Sequence, residues 1–243
     1  ARVVLDHDTS DGLAIVCNTV ILDDAIMRHI EPQILAFADP IFHFGPSSYA
    51  AEFRAAVRRR MVADSELWTV IPMRYRSLLT SLMPELSERI IGVPFAKRDT
   101  DLNLNLLTNF SVYPSANILT LLMLPLASTL TRRIGMIGFD GRAPDDEGFW
   151  KHGTTVQLNH QMDAIRRVHP GFFDLDYEDY YDTHTAYLRR FLERAEARGI
   201  TVSSLSRSYI TPLHSREDLG TDSHVSWPPR PPIDPEATEL AIS

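Results

Sequence analysis

Cysteine is nearly absent from this 243-residue chain: Cys17 is its single representative. An internal disulfide and a metal cage built from several thiolates are therefore excluded. Because Cys17 ends the apolar run Leu13-Ala-Ile-Val-Cys, it is expected to be a buried, inert thiol rather than a nucleophile. Excess positive charge is lacking as well. With 24 Lys and Arg against 32 Asp and Glu, the formal charge is −8, and the one basic run is Arg58-Arg59-Arg60. A duplex nucleic-acid binder needs a basic face to displace counterions, so nucleic acid is not an expected partner, whereas a local basic pocket for an anionic small molecule stays open. The longest apolar run, residues 118–130, is broken by Pro125 and falls short of the roughly twenty residues a transmembrane helix needs. No initiator Met and no signal-peptide pattern stand at Ala1-Arg-Val-Val-Leu, so the chain is read as a segment of something longer, with room for additional domains.

What is present is ordinary globular composition, 44% hydrophobic and 23% charged, at a length that supports a sizeable core. Residues 3–5 and 13–16 read as short strands, 23–34 as a helix closed by Pro32, and 34–44 as containing another strand. Residues 49–62 are helical by composition, with Ser47 or Ser48 placed to cap them. Residues 67–71 predict a strand, 74–91 a helix interrupted by Pro84, 92–111 a loop, and 115–130 an apolar helix. A buried strand follows over 133–139, and a polar loop over 142–152. Residues 180–198 form the clearest amphipathic helix, stopped by Gly199, and 200–205 form a strand. Strands alternating with helices predict a Rossmann-like, doubly wound, mostly parallel α/β sheet that binds ligands at the carboxyl ends of its strands. Beyond Ser215, five prolines crowd a polar stretch; the expected division is a Rossmann-like domain over 1–214 and a Pro-rich extended tail or linker over 215–243.

Four constellations carry chemical potential. Asp6 and Asp8 follow an apolar triplet, and with Asp140 they could hold a divalent metal or serve a phosphatase; otherwise they are a solvated loop. Asp179-Tyr180-Tyr181-Asp182-Thr183-His184 offers a histidine able to take a proton near neutral pH, placed at the start of the amphipathic helix. Gly45-Pro46-Ser47-Ser48-Tyr49 opens a helix whose amide groups favour an anion, although a plain cap is the commoner meaning. Asp140-Gly141 with Phe149-Trp150-Lys151-His152 suits a loop closing over a sugar or nucleotide. His169-Pro170 resembles a short nucleotide-site motif of some sialyltransferases.

Taken in order, these segments resemble the bacterial sialyltransferases of glycosyltransferase family 42 and their relatives. Cys17-Asn18 resembles the Cys-Asn that follows a strand in that family, where Asn contacts the cytidine monophosphate (CMP) donor. Phe44-Gly45-Pro46-Ser47 resembles its aromatic-Asn-Pro-Ser loop, and Ser115-Ala116-Asn117 its Ser-Gly turn. Ile137-Gly138-Phe139-Asp140 resembles its Gly-Ile-Asp strand end. Tyr181 and His184 keep its Tyr-x-x-His spacing. The family's opening Gly-x-Gly-Pro-Ser loop is missing, Gly45 stands where the donor-binding Asn belongs, and Ala116 replaces Gly.

The resemblance implies a GT-A-variant fold and inverting, metal-independent transfer from a nucleotide-activated sugar, of the CMP-activated sialic-acid-like class, to a glycan acceptor in bacterial surface polysaccharide synthesis. It implies no cofactor besides that donor and a cytoplasmic site, peripheral to the inner membrane. His184 becomes the general base, Tyr181 or Tyr180 holds the leaving phosphate, and Asn18, Gly45, Ser47, Ser115 and Asp140 line the nucleotide. Trp150, Lys151 and His152 form the lid. Two alternatives remain open: a phosphatase or metal-dependent transferase using Asp6, Asp8 and Asp140, and a non-catalytic nucleotide- or sugar-binding domain.

Overall fold

The computed structural model describes residues 2–10, 12–97, 102–141, 158–171 and 177–218. Its centre is a four-stranded, all-parallel sheet in the order β1 (Ile15–Cys17), β2 (Ile34–Ala36), β3 (Trp68–Pro72) and β4 (Ile90–Val93). The register runs Cys17 to Ala36, Ala36 to Val70 and Val70 to Ile91. Parallel strands need crossovers, and helices supply them: α1 (Asp24–Ile30), α2 (Ser48–Ala63) and α3 (Arg76–Leu82). A second, two-stranded parallel sheet pairs β5 (Arg133–Met136) with β6 (Thr201–Ser204). α4 (Leu124–Leu130) leads into β5 and α6 (Tyr177–Ala197) into β6, with α5 (Met162–Val168) between β5 and α6 and a short α7 (Thr211–His214) after β6.

Side-chain alternation sends each strand's residues into two different cores. Val16, Leu35, Phe37, Ile71 and Ile90 pack with α1, α2, α3 and α5 through Ile26, Phe53, Met61, Leu79 and Ile165. On the other face Ile15, Cys17, Ala36, Val70 and Val93 meet Leu122 and Leu124 of the helix before β5, Leu188, Phe191 and Leu192 of α6, and Ile134 and Val202 of β5 and β6. The strands are apolar on both faces because both faces are covered. Since the second core joins the two sheets, they are not independently packed units. No helix among the described residues is long and apolar enough to cross a membrane.

Several expectations need correction. The expected single sheet is two sheets. Residues 3–5 are not a strand but part of a 3-10 turn, Arg2–Asp6, which buries Val4 against the first core. The His29 imidazole donates from Nε2 to the His7 carbonyl at 2.8 Å, fixing this segment to the last turn of α1. The helix expected over 74–91 ends at Leu82. Pro84 disfavours helical geometry at Met83, which sits at φ −139 and ψ 63; a 3-10 turn, Pro84–Arg89, follows and then β4. The apolar helix before β5 begins as a π-helical turn, Leu119–Met123. His184 lies well inside α6 rather than at its start. Residues 215–218 still belong to the packed fold: Arg216 pairs with Glu196 of α6 at 2.5 Å, and Ser204 bridges Glu217.

Candidate functional site

The carboxyl ends of the strands carry the polar groups. After β1, Asn18 adopts φ 52, the left-handed conformation that Asn tolerates better than most residues, and its buried Oδ1 has no hydrogen-bond partner among the described residues. Cys17 beside it is half-buried, and desolvation pushes its thiol up to about 12.

The segment after β2 is built by Asp39, which sequence reading overlooked although Asp39-Pro40 is a turn signal. One carboxylate oxygen accepts the Ile41 and Phe42 N–H groups at 2.7 and 2.8 Å, and the Asp39 N–H donates to His43 Nδ1 at 3.0 Å. Burial raises the Asp39 carboxyl, while those two amides and the nearby His169 pull it down. His43 packs against Phe37 and Phe53, with ring centroids 5.3 and 4.3 Å away, and burial lowers it to about 3. It is therefore neutral, with its proton on Nε2, because Nδ1 accepts. Arg54 donates to the carbonyls of His43 and Gly45 at 2.8 and 3.1 Å. At Gly45 a Cβ would lie 2.6 Å from the Ile41 carbonyl and 3.4 Å from His169 Nε2. Close packing is thus what Gly45 provides, and that histidine nitrogen is itself buried and unpartnered among the described residues. Ser47 is expected on the nucleotide but its hydroxyl caps α2, accepting from the Ala50 N–H at 3.2 Å.

A third group sits where the helix before β5 meets α6. Asn117 accepts the Leu119 N–H through Oδ1 at 2.9 Å and donates through Nδ2 to the Tyr180 hydroxyl at 3.1 Å. Ser115 Oγ shares a hydrogen bond with Thr120 Oγ1 at 2.9 Å. One turn along α6 from Tyr180, the His184 ring lies nearly parallel to the Tyr180 ring, with centroids 6.3 Å apart. His184 is 8% exposed, burial lowers it to about 4, and neither its Nε2 nor the neighbouring Thr185 hydroxyl has a partner among the described residues. Unmet polar atoms in a folded interior are costly. Asn18, His169, His184 and Thr185 each carry such an atom among the described residues.

Asp140 lies past β5, where the Ser206 hydroxyl donates to its carboxylate at 3.4 Å and accepts from the Gly138 N–H at 2.9 Å. The Tyr209 N–H donates to the Asp140 carbonyl at 2.7 Å, and the Tyr181 hydroxyl donates to the Tyr209 carbonyl at 3.1 Å. The structure does not bring Asp140 to Asp6 and Asp8. Those two residues adjoin the last turn of α1, which leads into the amino end of β2, and Asp8 is engaged by the Ser10 hydroxyl and amide at 2.7 and 3.0 Å. No group of three or more His, Cys, Asp or Glu side chains gathers to hold a metal among the described residues. Trp150, Lys151 and His152 lie outside the described residues. No family model, no curated protein and no solved structure matches the chain.

Proposed function

We propose that the chain is an inverting, metal-independent glycosyltransferase that uses a nucleotide-activated sugar of the CMP-activated sialic-acid-like class. The observation that carries the reading is His184: an imidazole held neutral by burial, with an Nε2 unpartnered among the described residues, one helical turn from the Tyr180–Asn117 hydrogen bond. Neutral imidazole is the form that accepts a proton. His184 Nε2 takes the acceptor hydroxyl proton as that oxygen bonds to the anomeric carbon. The bond to the leaving phosphate breaks, and CMP departs with the electron pair. Tyr180 and Asn117 stabilise the charge that develops on the phosphate. Tyr181 instead anchors α6 to Tyr209, and Asn18 and Ser115 face the nucleotide.

Two measurements test this. CMP raises the melting temperature more than UDP or GDP does, with chelator present, because a ligand of the folded state adds apparent stability. His184→Ala lowers transfer by about 10² to 10⁴ fold, the ordinary contribution of a general base, and leaves CMP affinity unchanged. Wild-type turnover in the folded variant overturns the assignment. A non-catalytic nucleotide- or sugar-binding domain is the second reading. It is favoured by Ser47, whose hydroxyl is already used as a helix cap, and by Gly45, which has no side chain to offer; it forecasts CMP binding without transfer.

A further inference from the structure

A cavity of about 340 Å³ opens beyond the carboxyl end of β6, lined by Arg207, Ser208, Tyr209, His214 and Glu217. It adjoins the α6 site through the Tyr181 hydroxyl, which donates to the Tyr209 carbonyl, one turn before His184 on the same helix. Its lining is unevenly committed. Glu217 receives the Ser208 N–H at 2.9 Å and His214 Nδ1 at 3.0 Å, so these contacts hold the carboxylate below its ordinary range. The Ser208 hydroxyl donates to the Phe139 carbonyl at 2.7 Å. Arg207 is exposed; it makes no direct side-chain hydrogen bond among the described residues, and its charge helps hold Glu217 ionised. Tyr209 leaves 54% of its surface exposed although its backbone is fixed at both the amide and the carbonyl. A rigidly mounted aromatic ring beside an exposed guanidinium with no direct hydrogen bond suits a flat, partly apolar ligand that carries a carboxylate.

We infer that this cavity is the acceptor subsite of the proposed transferase and takes a sugar bearing a carboxylate: the ring face stacks on Tyr209 and the acid pairs with Arg207. The inference rests on the glycosyltransferase reading for the word acceptor, but the binding itself can be measured apart from transfer. The probes are methyl β-glucuronide and methyl β-glucoside, titrated against the full chain by saturation-transfer NMR. The glucuronide binds about tenfold tighter, the contribution of one charge-assisted hydrogen bond. Arg207→Gln removes that preference, and Tyr209→Ala weakens both sugars. Melting temperatures verify that each variant is folded. Equal binding of the two sugars, or a preference that survives in folded Arg207→Gln, overturns the subsite. Intact sugar preference with no transfer from any CMP-activated donor overturns the transferase reading and leaves a binding site for acidic sugars standing.

Discussion

His43 and Gly45 owe their importance to what surrounds them. Burial depresses His43 to about 3 and His184 to about 4 from an ordinary 6.5. Between those values and 6.5 the unfolded chain binds protons that the folded chain refuses, so stability is full above about pH 6.5 and falls as the pH drops. Each histidine contributes a slope of about 1.4 kcal/mol per pH unit once its unfolded form is protonated. Urea unfolding at about pH 5 and pH 7 measures the combined loss. His43→Gln should reduce the difference by about one histidine's share, and an unchanged slope would show that His43 titrates freely in the folded chain. Gly45→Ala tests close packing in the same loop. Its Cβ meets a backbone carbonyl rather than a yielding side chain, so a loss of about 1 to 3 kcal/mol is expected and is read from the urea midpoint. Neither position announces this in sequence: a histidine among phenylalanines and a Gly-Pro pair are equally compatible with a binding loop.

Ser47→Ala separates two meanings of a helix start. Since its hydroxyl holds the Ala50 N–H inside the fold and is itself 3% exposed, the substitution should cost about 1 kcal/mol of stability and leave CMP affinity unchanged; a selective loss of CMP binding would return Ser47 to the ligand. The helix it starts was legible from composition, a Ser before it and a run of helix formers within it. So were β1, β2, β3, β5, β6 and the end of α6 at Gly199, where φ is +75. β4 was not, because Ile90-Ile91-Gly92-Val93 continues the spacing of the preceding helix, and only tertiary pairing with β3 turns it into a strand. Residues 3–5 misled in the opposite direction: three β-prone residues form a 3-10 turn because the end of α1 binds the segment. At the site, His184, Tyr180, Asn18 and Ser115 could be picked out by residue type and order. Asp39 and Thr185 matter through burial and hydrogen bonding, which no spacing encodes, and His169 drew notice only through the dipeptide His169-Pro170.

At the scale of the molecule, the two sheets behave as one body because α6 and the helix before β5 fill the same core as β1 to β4. The closing segment of the described chain belongs to that body too. Ser204 donates its N–H to the Arg216 carbonyl and accepts the Asp218 N–H at its own carbonyl, both at 2.8 Å. Arg216 grips Glu196 with two nitrogens, at 2.5 and 2.8 Å, and reaches the Pro212 carbonyl at 2.6 Å. This clasp ties β6, α6 and α7 together next to the cavity at Arg207 and Tyr209. The partly exposed ion pair contributes modestly; the larger cost of losing the segment is the buried backbone of Ser204, left without partners. Two truncations isolate that cost. A chain ending at Asp218 keeps every one of these bonds, whereas one ending at His214 loses those that Arg216 and Asp218 make. The shorter form should be less stable by about 1 to 3 kcal/mol, which for a chain of this size lowers the melting temperature by roughly 2 to 4 °C per kcal/mol. Equal melting of the two would mean that β6 does not need the 215–218 segment.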